Sequence, residues 1–200
     1  MGEPADAAEA VVPAVHILTD REQFQLAPRR VTISTVAPDP SAFATLGAAP
    51  AVLAWSVHAS DDALRRELVP TTKYSMEELR EGLILSLQQR SRRMRAVMLE
   101  VTLLDKVNDT AEAANHLADF CQHIIERVPA AKLVINLIPW NDIQASSGPA
   151  ALYRQPSTEG VEAFQNILVQ RGLLCFIRTT RGDDESSACG QLATKRRRAT

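Results

Sequence analysis

The sequence predicts an α/β fold in which parallel strands alternate with crossover helices. Three observations carry this. Short apolar runs alternate with segments of helical periodicity along most of the 200 residues. The runs are nearly continuous in apolar residues, as in parallel strands. Finally, a strand, helix, strand order closes right-handed parallel units.

The elements follow in order. Ala8, Val11, Val12, Val15 and Leu18 recur at helical spacing, and after Ala27-Pro28-Arg29-Arg30 the β-branched run Val31–Val36 reads as a buried strand. Pro38 and Pro40 punctuate a loop before a second strand, Ala51–Val57. Ser60-Asp61-Asp62 can cap a short helix. Ser75-Met76-Glu77-Glu78 has the form of a capping box, and Met76, Leu79, Leu83, Ile84 and Leu87 share one face of the helix behind it. A strand over 96–104 leads to a helix that begins at Asp109 or Thr110 and carries Leu117, Phe120, Cys121, Ile124 and Ile125. Leu133–Ile138 is a further strand stopped by Pro139; a helix with Val161, Phe164, Ile167 and Leu168 follows, and Leu173–Ile177 closes the series. No internal repeat or low-complexity tract interrupts this order.

Composition narrows the classes. With 46% hydrophobic residues, 23% charged residues and a formal net charge of −2, the chain is neither disordered nor globally polybasic. No apolar run approaches the roughly 20 residues of a membrane helix. The start has no basic or apolar leader, and three cysteines, none closely paired, point to reduced thiols in an intracellular setting.

Polar residues gather where strands end. Ser34, Ser56 and His58, Asn108 and Asp109, and Trp140 and Asn141 each follow or end a strand, and Gly2-Glu3 precede the first helix. In α/β barrels the chemistry lies on that face. His58 reads either as a structural histidine or as a functional one. Cys121 and Cys175 fall on apolar positions and read as core, despite His123 near the first. Asp183 and Asp184 are paired acids or a solvated turn. Cys189 lies in a polar, Gly-flanked stretch with Arg181 nearby in sequence, so it is a candidate nucleophile. Arg90, Arg92, Arg93 and Arg95 are phosphate contacts or a solvated helix end. The basic run 195–198 is a solvated tail, with nuclear targeting or RNA contact as alternatives. Two long loop-like stretches, 142–149 and 178–191, are of a length that suggests function.

Taken in order, Met-Gly-Glu-Pro at 1–4, Arg-Arg-Val-Thr-Ile-Ser-Thr at 29–35, Ser-Val-His-Ala at 56–59, Leu-Leu-Asp-Lys-Val-Asn-Asp at 103–109, Asn-Leu-Ile-Pro-Trp-Asn at 136–141 and Arg-Thr-Thr-Arg-Gly-Asp-Asp…Ala-Cys-Gly-Gln-Leu at 178–192 closely resemble the radical S-adenosylmethionine adenine-C2 methyltransferases of ribosomal RNA. The resemblance implies a partial (β/α)6 barrel, with the barrel part at about 1–141, a C-terminal helix, strand and catalytic-cysteine loop at about 142–192, and a basic tail at 193–200.

It further implies S-adenosylmethionine and a 4Fe-4S cluster as cofactors. Gly2 and Glu3 would face the amino group of S-adenosylmethionine, Ser34, Ser56, Val57 and His58 would lie along the ligand, and Asn141 would complete the site. Cys189 would be methylated by one S-adenosylmethionine. An adenosyl radical from a second, cleaved at the cluster, would then activate that S-methyl group for addition to C2 of adenine. C2 is neither acidic nor nucleophilic, so the cofactors carry the hard chemistry. Ribosomal RNA, transfer RNA and an electron donor are the implied partners, and the cytoplasm is the implied compartment. The three cluster cysteines, spaced CxxxCxxC, are absent from this sequence. Two expectations follow: the sequence is part of a longer methyltransferase, or it is a degenerate paralogue that binds S-adenosylmethionine or RNA without catalysis.

Overall fold

The computed structural model describes residues 2–141 and 149–178. Five strands form one sheet in sequence order: β1 (Thr32–Thr35), β2 (Val52–Ser56), β3 (Ala96–Leu103), β4 (Lys132–Pro139) and β5 (Leu174–Ile177). Every neighbouring pair is parallel. Among the described residues, α1 (Ala8–Thr19) precedes the sheet and five α-helices lie between its strands: α2 (Ser41–Gly47), α3 (Asp62–Leu68), α4 (Met76–Gln89), α5 (Ala111–Arg127) and α6 (Thr158–Gln170).

Local chemistry starts α3, α4 and α5 as expected, and α6 in the same way. Ser75 and Glu78 exchange hydrogen bonds with each other's backbone at the head of α4. Asp61 covers Leu64 N–H at α3, Thr110 covers Ala113 N–H at α5, and Ser157 covers Gly160 N–H at α6.

The helices bury one face of the sheet. Ile33, Leu53, Trp55, Leu99, Leu103 and Ile135 meet Phe43, Leu83, Phe120, Ile124, Phe164 and Leu168 in one core. Trp55 is its centre, edge-on to Phe43 at 5.0 Å between ring centroids and 5.7 Å from Phe120. The opposite face is where the strands depart from expectation. Apolar runs of this kind suit strands covered on both faces, yet β3 and β4 alternate buried with half-buried residues, and on β5 Leu174 and Phe176 are each 53% exposed. Among the described residues, this second face mixes apolar and polar side chains that are half-buried to exposed on β3 to β5.

Helix α2 lies where the prolines suggested a loop. It has seven residues, too few to show periodicity, and its start depends on Asp39, whose Oδ1 accepts from Ser41 N, Ser41 Oγ and Ala42 N. α4 packs against it through Gly82, where a Cβ would stand 2.5 Å from Pro40 O and 2.8 Å from Pro40 Cα. Helix propensity alone favours alanine over glycine by about 1 kcal/mol. The backbone contact reverses that preference, and Gly82→Ala is expected to destabilise the fold by about 1–3 kcal/mol in urea titrations.

Candidate functional site

Because all five strands are parallel, their C-terminal ends share one edge of the sheet, and the site is assembled there from the segment before α1 and the turns that follow the strands. Glu3 begins it. Its Oε1 accepts from Ala5 N at 3.0 Å and from Thr35 Oγ1 at 2.5 Å, and its Oε2 accepts from Val36 N at 2.9 Å. The carboxylate therefore fastens the segment before α1 to the end of β1. Gly2, just before it, is exposed with open space around it.

The uncovered face supplies the next groups. Register places Ser56, Glu100, Asn136 and Phe176 side by side across β2 to β5. Ser34, exposed on β1, donates to Glu100 Oε2 at 3.5 Å, and Asn136 Nδ2 lies 3.7 Å from Met98 Sδ. Val57 is different: its side chain is fully buried, its N–H donates to Glu100 O and its carbonyl accepts from Arg65.

His58 ends the β2 ladder. The chain turns through φ +57° there, and backbone and ring both meet β3: His58 N–H donates to Glu100 O at 3.4 Å, and Nδ1 accepts from Thr102 N at 3.2 Å. That bond places the ring proton on Nε2. Burial, with a smaller contribution from Arg65, lowers the imidazole pKa to about 4, so it is neutral at physiological pH. Asn108, itself buried, finishes the end of the ladder: Nδ2 donates to His58 O at 2.8 Å and Thr102 O at 2.7 Å, and Oδ1 accepts from Leu104 N at 2.8 Å. His58 and Asn108 also border a cavity of about 260 Å³ floored by Val101, Leu117 and Phe164.

Arg65 was not singled out by sequence reasoning. It is 1% exposed, and its guanidinium donates to the carbonyls of Val36, Ser56 and Val57, tying the ends of β1 and β2. Burial lowers its pKa to about 10, which leaves it charged. An Arg-Arg pair in a short capped helix carries no signal for such a role. Glu100 did carry a signal, being a lone charge in an otherwise apolar strand. Thr35 did not.

Asn141 is half-buried after β4, next to Trp140, whose ring meets Tyr153 edge-on at 6.1 Å. The Trp140 indole N–H is buried without a protein partner. Cys189, Arg181, Asp183, Asp184 and the basic tail lie outside the described residues, as does 142–148.

Glu3, Ser34, Ser56, His58 and Asn141 thus share one end of the sheet. The polar face carries the Ser34 and Ser56 hydroxyls and the Asn136 and Asn141 amides, with the unpartnered Trp140 indole N–H next to Asn141 in the chain, a set of groups that fits a polar ligand such as S-adenosylmethionine. The cluster does not fit. Among the described residues no three His, Cys, Asp or Glu could hold a metal ion. Cys121 and Cys175 are buried in the core, which pushes both thiols up, Cys175 to about 12, when cluster ligation needs thiolates.

The arginine cluster sorts differently from either reading. Arg90 is buried and donates to Ala49 O and Ala51 O, while Arg95 donates to Arg90 O at 3.0 Å and Gln88 O at 2.8 Å. Both close backbone at the opposite end of the sheet.

No family model matches the chain. It is 41% identical over 196 residues to a protein of Ruthia magnifica named dual-specificity RNA methyltransferase RlmN, and 38% identical to the protein of that name from Vesicomyosocius okutanii, covering 98% of this chain each time. It spans about half the length of these curated relatives, 51% of each. Its fold matches a radical SAM methyltransferase from Sphaerobacter thermophilus with a TM-score of 0.78 and 34% identity, over 96% of this chain and 52% of that one. A domain of a pyruvate-formate lyase-activating enzyme from Bacteroides vulgatus shares the fold, with a TM-score of 0.65 at 15% identity. Fold and sequence together place the chain in one class with these proteins, a parallel α/β sheet with crossover helices. The chain is similar to the proteins named RlmN and to that radical SAM methyltransferase over the part of their length that it spans.

Two measurements probe this face. Arg65→Ala removes the guanidinium donor from the carbonyls of Val36, Ser56 and Val57, the last of which keeps only its bond from Ala59 N–H, and is expected to cost about 3 kcal/mol in urea titrations; Arg65→Lys recovers only part, because one ammonium cannot span the fork. For His58, the folded pKa of about 4 lies below the ordinary 6.5. The unfolded chain therefore takes up a proton that the folded chain refuses between those values, and stability falls as pH drops through that window. His58→Gln, which keeps an acceptor for Thr102 N–H, is expected to flatten that part of the stability profile relative to the unsubstituted chain.

Proposed function

We propose that this chain supplies the S-adenosylmethionine-binding face and the methyl-carrying cysteine of a methyltransferase acting on C2 of an adenine in ribosomal RNA, and in transfer RNA as well. The observation that carries the reading is the uncovered sheet face, polar at its C-terminal edge, in a chain whose relatives bear the name RNA methyltransferase. S-adenosylmethionine, when bound, supplies an electrophilic methyl group and an adenosyl moiety.

The residues divide the work of holding it. Glu3 Oε2 has one donor where Oε1 has two, so it retains acceptor capacity for an ammonium group beside the open backbone at Gly2. The hydroxyls of Ser34 and Ser56 and the amide of Asn141 face polar parts of the ligand. His58 offers its Nε2–H as a neutral donor. Val57 contributes shape from within the core rather than a hydrogen bond. Cys189 accepts the methyl group as a thiolate, losing its proton first.

The described cysteines cannot hold a cluster, so no step is assigned to one. A cluster and the electron donor that feeds it would have to be provided by other residues. The target adenine must leave its stack before it reaches the face, at a cost of a few kcal/mol.

Titration calorimetry of the 200-residue chain with S-adenosylmethionine tests the binding. Binding is expected, with Ser34→Ala and Asn141→Ala each weakening it about 3- to 10-fold, the worth of one neutral hydrogen bond. Absence of binding by the folded chain refutes the reading. Peptide mass spectrometry of protein from its source cells tests the cysteine: the tryptic fragment 182–195 is expected to be one methylene heavier at Cys189. Binding without that modification supports the second reading, a non-catalytic binding module.

A further inference from the structure

Two separated arginine pairs meet at the end of the sheet opposite the site. Arg29 and Arg30 precede β1, Arg92 and Arg93 precede β3, and Arg29 donates to Arg93 O at 3.3 Å, which brings the two turns together. All four side chains are exposed, and none forms an ion pair among the described residues. Lys132, exposed at the start of β4, continues the row, since its N–H donates to Arg95 O. Across β1 to β4 this is three strand spacings, about 14 Å of unneutralised positive charge. Beside it opens a cavity of about 430 Å³ lined in part by His16, Gln89, Arg90, Ser91 and Met94.

The chain's net charge is −2, so this concentration of cations is local. Exposed guanidinium groups in a row, without carboxylate partners, are complementary to the regularly spaced anions of a nucleic-acid backbone. The distance from the methyl-transfer face matters as much as the charge. β3 has eight residues, so the two ends of the sheet stand about 26 Å apart. A short single strand occupied at the C-terminal edge does not reach both.

We infer that the Arg29, Arg30, Arg92, Arg93 and Lys132 row is a second RNA contact, which grips phosphates of a folded RNA away from the segment that carries the target adenine. This rests on the RNA reading of the previous subsection and deepens it: the row selects folded RNA over a short strand and carries no base specificity.

The test compares the full chain with the triple variant Arg30→Gln, Arg92→Gln, Arg93→Gln, which spares the Arg29 contact. Binding to a folded transfer RNA transcript and to a short single-stranded RNA containing one adenine is followed by fluorescence anisotropy across a salt series. Circular dichroism checks that both proteins are folded. For the transcript, the variant is expected to bind about 10-fold more weakly or worse, with a salt slope shallower by about two to three, near one per lost phosphate contact. The short RNA is expected to bind both proteins alike. Arg→Lys at the same three positions is expected to keep most of the slope, and Arg66→Gln, which removes an Asp62-paired cation on α3, to leave it unchanged.

An unchanged slope with the transcript, or an equal loss on both RNAs, overturns the inference while leaving the RNA reading standing. Failure of the unsubstituted chain to bind either RNA refutes that reading itself. Tighter, patch-dependent binding to phosphatidylserine vesicles than to the transcript assigns the row to a membrane surface and overturns it too.

Discussion

A parallel strand that stops leaves its last carbonyls and N–H groups without a ladder, and in this fold those ends are also where the polar site is built. Arg65 resolves the conflict at β1 and β2. One buried guanidinium takes the carbonyls of Val36, Ser56 and Val57, and with them fixes how far the two strands run before their turns. Burying a charge without a carboxylate partner is costly. Three carbonyl acceptors return part of that cost, and the charge survives as a lowered but still high pKa. Asn108 does the same for β2 and β3 with a neutral amide, and Glu3 does it for β1 with a carboxylate. The positions of Ser34, Ser56 and His58 all depend on these three ties.

The ties also decide the electrostatics of the site. Burial, with a smaller contribution from Arg65, keeps the His58 imidazole neutral, so the ring works as a fixed acceptor through Nδ1 and a donor through Nε2. A protonated ring would lose the Thr102 bond. Glu100, in contrast, stands half-buried on the open face, where Ser34 Oγ donates to it at 3.5 Å, in reach of solvent and of any bound molecule. The site thus combines a committed, buried layer below with an uncommitted polar layer above.

How much of this the sequence disclosed follows from which forces are local. Helix α4 was legible because its capping box and apolar stripe lie within fifteen residues of one another, and β1 to β5 because each is a short apolar run. The strand-end placement of Ser34, Ser56, His58 and Asn141 was legible for the same reason: a residue's position along a strand is a local property. Helix α2 was not, since seven residues make barely two turns and its cap, Asp39, sits between two prolines. The roles of Arg65, Arg90 and Arg95 were not legible either. The first two depend on carbonyls that only folding brings near, 8 to 29 residues away for Arg65 and about 40 for Arg90, whereas Arg95 reaches back to Arg90 O and Gln88 O in a turn with no sequence signature. Nor does an apolar strand reveal whether its second face meets helices or a barrel interior, because both exclude charge.

The same strand polarity that gathers polar groups at one edge separates them from the cations at the other. Residues before a strand and residues after it cannot mix when every strand points the same way, so Arg29, Arg30, Arg92 and Arg93 are held a full strand length from Ser56 and Asn141. Within the arginine run at 90–95, burial then divides what sequence groups together. Arg90 and Arg95 turn inward to backbone carbonyls, and Arg92 and Arg93, in the turn between them, have nowhere to point except solvent. Inward arginines hold the turn in place, and a fixed turn holds its outward arginines in a row. A charged patch ordered in this way loses less side-chain freedom on binding than a flexible basic tail does, which favours this end of the sheet as a phosphate-binding surface.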